Sequence, residues 1–586
     1  MRRQHEQQVK RTLFRQRVLL GLTGAGFAVL AIKLVSIQVY GHDRLVAEAK
    51  ARHVRSIVKQ PVRGPILDRN GRLLAVSTPV DTVWSEADRF CAEEKQWKPM
   101  LELLQIERSE VKKACDKRAA GEFENNFMYV KRQVVPLLAE QVKALGIPGL
   151  HLQRDYKRFY PPGPAVGHLI GFTDIDGNGQ EGIEKAYNET LLGVKGRQIL
   201  HRDSKGRFVE FVEQVEAVEN GQALTLSIDS RLQYLASGYL EQAVRKHKAR
   251  GGSVVMIYAP TGEILAMVDS PQFNPNDRRT FKPERFRNRA VTDVQEPGST
   301  VKPFTIAAAL ETGLFTPEST IDTGKVPFRV PGGRISDTKP HGVMSLENIV
   351  VKSSNIGAAK ISMEIPYDDL YAMLDRVGFG HKVNAVPAEA SGVLPKRKRL
   401  IDRLTQSYGY GLNATPLQIA RAYTVFANRG TLKPLTVLRQ EDDVQVPGKR
   451  VFSEQTNAQI LRMLERVASP EGTARRARIE RYRVGGKTGT SRRNTGNGYE
   501  QGHYVSWFVG MAPMSDPKFV MAVMVDDPDP EVAGYYGGTI AGPVFARTMS
   551  DAMRLYNVAP DKLESEVGKP APDKIAVNLP QQGGQI

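Results

Sequence analysis

The first forty residues decide where this chain folds. Residues 1–17 carry Arg2, Arg3, Lys10, Arg11, Arg15 and Arg17 against a single acid, Glu6. Val18–Ile32 is uncharged and apolar, and the run resumes after Lys33 to about Val39. A helix over 18–40, rising about 1.5 Å per residue, matches the thickness of a bilayer core. A positive flank stays on the cytoplasmic side, so the chain after Tyr40 is expected outside the cytoplasm. The rival reading is a cleaved signal peptide. Ala47-Glu48-Ala49 has the small-x-small pattern, but it lies well past the apolar run and among charges, whereas cleavage follows that run closely. An uncleaved anchor is therefore expected, with Lys33 snorkelling to the interface or contacting a partner's membrane helix.

The 586 residues exceed what one core can serve, so two or three domains are expected. Lys and Arg number 82 against 64 Asp and Glu, a net charge of +18. The basic residues are dispersed, with short clusters at Lys396–Arg399 and Arg475–Arg478. No zinc-finger spacing or aromatic-basic platform accompanies them, so a lipid or carboxylate-bearing surface fits better than nucleic acid. The two cysteines, Cys91 and Cys115, form no CxxC. Outside the cytoplasm they can pair, or remain two thiols on neighbouring helices. The 10 histidines show no metal-ligand spacing, and His341 and His503 read as surface residues. No metal and no cofactor is expected.

Residues 41–222 read as a mixed, non-catalytic support. Arg55–Val62 is strand-like, Asp68-Arg69-Asn70-Gly71 is a tight turn, and helices are expected near 86–120 and 138–146. A second unit, 223–559, opens with an alternating strand at Ala223–Ile228, and Asp229 caps a helix from Ser230. Ser253–Tyr258 and Glu263–Val268 form a hairpin around Ala259-Pro260-Thr261-Gly262. Two late strands, Val505–Met511 and Phe519–Val525, follow a middle with helices at Pro303–Leu310 and Leu417–Ala427. Strands at both ends of a helical middle predict one sheet built from distant segments with helices on its faces. Residues 560–586 are polar and rich in Pro, Gln and Gly, as in a disordered tail.

Ser299-Thr300-Val301-Lys302 is an S-x-x-K, a pattern that recurs at Ser56, Ser109, Ser336 and Ser515. Its context sets it apart. Glu296-Pro297-Gly298 makes a turn, Pro303 suits a first helical turn, and Ala307–Ala309 permit close packing. Residues i and i+3 share a helix face, so Ser299 and Lys302 point the same way at a helix N-terminus. A serine hydroxyl needs a base, and lysine serves only when burial or a nearby cation makes it neutral. Ser353-Ser354-Asn355 supplies the chain's one S-x-N, and Lys487-Thr488-Gly489-Thr490 its one K-T-G. Lys487 would be the second cation, and Gly489 would let a substrate backbone lie along its strand. A P-loop is excluded, since position 481 is Arg where that motif needs Gly.

The three motifs, in this order and spacing, resemble those of penicillin-binding proteins and serine β-lactamases. Arg63–Gly71, Arg158-Phe159-Tyr160-Pro161 and Gly182-Ile183-Glu184 resemble the pedestal motifs of class B penicillin-binding proteins, which β-lactamases lack. Glu296–Pro303 and Ser407-Tyr408-Gly409-Tyr410-Gly411 are most similar to the division-specific members of that class. The resemblance implies an α/β (α+β) transpeptidase domain, a five-stranded antiparallel sheet between helices, behind an elongated α+β pedestal for dimerisation or partners. It implies that Ser299 is acylated by a D-Ala-D-Ala peptide, Lys302 takes its proton, Ser353 relays a proton and Asn355 holds Lys302. It further implies that Lys487, Thr488 and Thr490 bind the terminal carboxylate, with Ser299 and Thr490 N–H as the oxyanion hole. Tyr410, Tyr504, Tyr535 and Tyr536 match an aromatic wall, though Tyr410 can equally be core, and Tyr535–Gly538 reads as a flexible loop.

By the same resemblance the reaction is peptidoglycan cross-linking in septal wall synthesis, blocked by β-lactams at Ser299. Expected partners are stem peptides, the bilayer, a glycosyltransferase of the SEDS family and other division proteins. Alternatives are a side-wall elongation enzyme, a carboxypeptidase or β-lactamase-type hydrolase, and a non-catalytic scaffold. A hydrolase needs a dedicated base for water, which no residue supplies in sequence, and a scaffold has no need for Ser299, Lys302 and Lys487 together.

Overall fold

The computed structural model describes residues 2–40, 42–44, 54–122, 126–202, 208–442, 444–494 and 498–562. Ala47–Ala49 and the tail beyond 562 lie outside them. Two compact units form: Met1–Val62 with Gly193–Asn220, and Arg63–Leu192 with Gly221–Ile586.

In the first unit a 34-residue helix spans Arg2–Val35 and continues in a wider turn at Ser36–Tyr40. Val9–Val39 is long and apolar enough to cross a membrane. Thr23, polar within that span, donates to Leu19 O at 2.8 Å, so its hydroxyl is satisfied inside the helix. Val54–Lys59, Gly196–Arg202 and Phe208–Glu216 form an antiparallel three-stranded sheet with Gly196–Arg202 in the middle.

The second unit contains both the remainder of the expected support and the motif residues. The three pedestal motifs converge on one buried ion network. Glu184, 0% exposed, accepts Arg63 Nε at 2.7 Å on one oxygen and Arg158 Nε at 2.6 Å on the other. Arg63 also donates to Glu184 O and to Asn188 Oδ1. The Asp68 turn forms as expected, closed by Gly71 N to Asp68 O at 3.0 Å. Asp68 also accepts Ser230 Oγ at 2.6 Å, which ties the turn to the helix that opens the motif-bearing part. Ile66, Leu74, Tyr160, Leu169 and Ile183 share one core with residues from 226 onward. Val83, Phe90, Trp97, Met100 and Val142 build a separate, smaller core. There Cys91, on Ala87–Ala92, and Cys115, on Arg108–Ala119, are joined in a disulfide.

Helix α1 (Ser230–Lys246) starts at Asp229, whose carboxylate caps Arg231 N. The strand expected before it shrinks to Leu224–Thr225, because its partner Ile66–Leu67 runs straight into the Asp68 turn. Strands β1 (Gly251–Tyr258) and β2 (Glu263–Ser270) form the expected hairpin. Four helices of the middle frame the site: α2 (Lys302–Glu311), α3 (Leu346–Lys352), α4 (Asn355–Glu364) and α5 (Pro416–Ala427). Strands β3 (Gly485–Asn494), β4 (Tyr499–Ala512) and β5 (Phe519–Asp526) complete an antiparallel sheet ordered β2-β1-β5-β4-β3. Every residue of β2 and β5 is buried, as befits strands covered on both faces.

Helix α6 (Gly537–Leu555) takes the second half of the loop expected at Tyr535–Gly538, while Tyr535 and Tyr536 stay outside it. Gly537 and Gly538 begin the helix, and a Cβ on them would lie 2.0 Å from Trp507 O and 2.2 Å from Thr473 O. Glycine here serves close packing of a helix end on the sheet, not mobility. Order also passes 559: Asp561 accepts Arg483 N at 2.6 Å and Ser515 N at 3.1 Å.

Candidate active site

The serine turn is held from several sides. Gly298–Val301 is a short 3-10 turn leading into α2. Tyr423, from α5, donates to Thr300 O at 2.7 Å, and Gly298 N donates to Gly409 O at 3.1 Å. Gly298 has φ +54, and a Cβ on Gly409 would lie 2.0 Å from Gly298 O, so both positions need glycine. Ser299 itself remains partly exposed.

The second motif is a hinge between helices. Ser353 ends α3 in the left-handed region, φ 63, and Ser354 caps α4 by accepting Gly357 N at 2.9 Å. That strained turn aims both the carbonyl and the hydroxyl of Ser353 at Lys302. Lys302 Nζ contacts Ser353 O at 2.5 Å, Asn355 Oδ1 at 2.8 Å and Ser353 Oγ at 3.2 Å. Lys487 Nζ, from β3, donates to the same Ser353 Oγ at 2.8 Å.

Both lysines are 0% exposed. Burial, and then the Lys487 charge, hold the Lys302 amine well below the usual lysine range, with Asp337 opposing. Burial pushes Lys487 down to about 7. A neutral Lys302 has two N–H groups, which the Ser353 carbonyl and Asn355 Oδ1 can accept. Its lone pair is then left to take a hydroxyl proton. Ser353 Oγ, accepting from Lys487, keeps its own proton to give.

Alternation along β3 sorts the third motif. Lys487, Gly489 and Ser491 face the serine turn, where Ser491 Oγ donates to Glu296 O at 2.8 Å. A Cβ on Gly489 would lie 2.8 Å from Pro297 O and from Thr300 Cγ2. Its glycine thus serves the seating of the serine turn on the strand, rather than substrate clearance. Thr488 and Thr490 point the other way: Thr488 Oγ1 lies 2.8 Å from Thr473 Oγ1, and Thr490 Oγ1 accepts Gly537 N at 3.3 Å. The Thr490 backbone still reaches the neighbourhood of Ser299, since a Cβ on Gly298 would be 3.6 Å from Thr490 N.

The expected aromatic wall is two groups. Tyr504 and Tyr535 stack at 3.8 Å, with Tyr536 4.8 Å from Tyr535. Tyr410 instead packs between Tyr408 and Tyr499, at 5.7 and 6.1 Å. Sequence reasoning missed Asp337, which accepts Ser354 Oγ and Asn355 N at 2.5 Å each and Ile356 N at 3.0 Å. Asp337 sits in one of the discarded S-x-x-K patterns, so no local signal marked it. No local signal marks Thr473, Ser491 or Tyr499 either, and in sequence Glu296 shows only as part of a turn and of the motif through Pro303.

A serine at a helix tip, two buried amines on a second hydroxyl and an edge strand beside them define an acyl-transferring serine enzyme. The family described as penicillin binding protein transpeptidase domain matches residues 252–550, and that described as penicillin-binding protein dimerisation domain matches 58–226. The chain belongs to the class B penicillin-binding proteins. It is 37% identical over 558 residues to the Escherichia coli protein named peptidoglycan D,D-transpeptidase FtsI, covering 94% of this chain and 93% of that one. It is 40% identical to the transpeptidase domain of Burkholderia pseudomallei penicillin-binding protein 3, with TM-score 0.53, covering 58% of this chain and 98% of that one. The fold is also shared with a peptidoglycan synthetase from Bifidobacterium adolescentis, at 24% identity and TM-score 0.67, over 90% of this chain and 100% of that one.

Proposed function

We propose that the chain is a peptidoglycan D,D-transpeptidase of septal wall synthesis, with Ser299 as its nucleophile. The observation that carries the chemistry is the convergence of Lys302 and Lys487 on Ser353 Oγ, at 3.2 and 2.8 Å. Neutral Lys302 takes the Ser299 proton as Oγ attacks the carbonyl of the penultimate D-alanine. The N–H groups of Ser299 and Thr490 receive the oxyanion. The C–N bond breaks, Ser353 gives its proton to the departing D-alanine amine, and Lys302 restores it. The amine of a neighbouring stem peptide then displaces Ser299 from the ester, giving the cross-link. As an edge strand, β3 offers unpaired backbone groups along which the donor peptide can lie. Thr488 and Thr490, with Lys487, receive its terminal carboxylate, and Tyr410, Tyr504, Tyr535 and Tyr536 flank it.

The N-terminal helix anchors the protein once in the inner membrane, with the positive flank in the cytoplasm and the rest in the periplasm. The disulfide supports that side, since such bonds persist in oxidising compartments. Residues 41–222 act as the pedestal and 223 onward as the catalytic domain, working with a SEDS-family glycosyltransferase and other division proteins. The septal reading rests on the likeness to the protein named FtsI.

Full-length protein in detergent, incubated with fluorescent penicillin and digested, should carry the label on the peptide containing Ser299. It should also exchange the terminal D-alanine of a stem-peptide analogue for an added D-amino acid. A label on another residue, or none, would refute the assignment. Rapid release of opened penicillin would favour the hydrolase.

A further inference from the structure

Glu296 stands three residues before Ser299 and is 5% exposed. A buried carboxylate is costly unless its oxygens are satisfied. Here a backbone amide and a phenol satisfy them: Gly411 N donates to Oε1 at 2.8 Å, and Tyr499 OH lies 2.9 Å from Oε1 and 3.1 Å from Oε2. The main-chain carbonyl of Glu296 accepts Ser491 Oγ. One residue therefore joins the serine turn, the 407–411 loop and the β3–β4 hairpin. Tyr499 is 46% exposed, and on the hairpin it is paired with Asn494, so its hydroxyl anchors the outer end of the hairpin, beyond the Ser491 bond to Glu296 O. Its ring lies against Tyr410.

The serine turn and β3 are the two walls between which an acyl group would be attacked. They pass close there: a Cβ on Gly298 would lie 3.3 Å from Thr490 O, and one on Gly489 2.8 Å from Pro297 O. The spacing of Ser299 from Thr490 N thus depends on how firmly β3 is laced to the turn. We propose that Glu296 and Tyr499 are positioning residues for acylation: their hydrogen bonds clasp the hairpin to the serine turn and fix the Thr490 backbone relative to Ser299. The proposal rests on the assignment of Ser299 as nucleophile and Thr490 N–H as oxyanion donor. A donor set for the oxyanion acts in the transition state, so slackening the clasp slows the acylation step far more than it weakens initial binding, to which β3 also contributes.

The test is stopped-flow acylation of the full-length protein by a chromogenic cephalosporin, resolving the initial dissociation constant K from the rate constant k2. Tyr499→Phe removes one hydroxyl and keeps the ring, and k2 should fall about tenfold with K within about twofold, since small misplacements cost this much. The melting temperature should stay within about 2 °C, as for one partly exposed hydrogen bond. Glu296→Gln keeps an acceptor for both donors and should hold k2 within about threefold. Glu296→Ala should lose at least as much as Tyr499→Phe, and adding Tyr499→Phe to it should cost nothing further, because both remove one interaction. An unchanged k2 in Tyr499→Phe, a loss carried by K, or additive losses in the double variant would overturn the clasp. Wild-type protein that forms no adduct at Ser299 would instead remove the assignment on which the clasp rests.

Discussion

Lys302→Met should fold and be almost inert toward β-lactams, with k2/K lower by about a thousandfold, within the range for losing a positioned general base. Methionine fills much of the same volume without a proton acceptor, so the buried helix face of α2 stays packed. Lys302→Arg should be equally inert, because arginine remains charged at any usable pH. The stability of the two proteins carries a second signature. The folded Lys302 amine binds its proton less readily than the unfolded one, whose ordinary value is 10.5. Between those two values the unfolded state holds the extra proton, so this lysine's contribution becomes more favourable as pH rises. Lys487 behaves alike from about 7 to 10.5. Relative to wild type, Lys302→Met should therefore lose stability between pH 7 and pH 9, whatever the methionine costs at the Ser353 carbonyl and Asn355 Oδ1 that Lys302 served. Differential scanning calorimetry at the two pH values, beside stopped-flow acylation, checks both statements. A Lys302→Met protein that acylates within tenfold of wild type would contradict the first, and a stability difference that does not change between the two pH values would contradict the second.

Glu184→Ala should be the most destabilising single change outside the candidate site, by about 3–5 kcal/mol, the cost of breaking a buried ion network from one side. It strands Arg63 and Arg158, both buried, and Arg158 Nη2 already has no partner. Glu184→Gln keeps one acceptor and should lose less. Replacing the whole triad by apolar residues of similar volume should recover much of the loss, because the charges would then be gone rather than unpaired. Guanidinium unfolding in detergent, followed by tryptophan fluorescence, measures this. A loss below about 1 kcal/mol would mean that water or other groups solvate the arginines.

The network also shows what the sequence could and could not disclose. Local chemistry was readable: Asp229 capping α1, the hairpin around Pro260-Thr261-Gly262, and the late strands β4 and β5 follow from period and turn residues. The three motifs of the candidate site were readable because each brings an unusual residue set at short spacing. Long-range partnerships were not. Arg63, Arg158 and Glu184 each sat in a recognisable motif, yet nothing local says that they meet. Asp337 clamps Ser354 and Asn355 from 17 and 18 residues away. In sequence Gly489 and Gly537 suggest substrate clearance and loop freedom, whereas both are glycine because backbone from elsewhere passes where a Cβ would sit. The aromatic wall divided for the same reason, since Tyr410 is claimed by Tyr408 and Tyr499 before it can join Tyr504.

The account depends on Lys302 being held neutral by burial and by Lys487, and the pH profile of acylation reads this directly. For wild type, k2/K should rise with pH along an acid limb whose midpoint lies well below 10.5. In Lys487→Gln, which removes the second cation, that midpoint should move to higher pH while the maximal rate falls. An acid limb that stays in place in Lys487→Gln, or that survives in Lys302→Met, would show that some other group takes the serine proton.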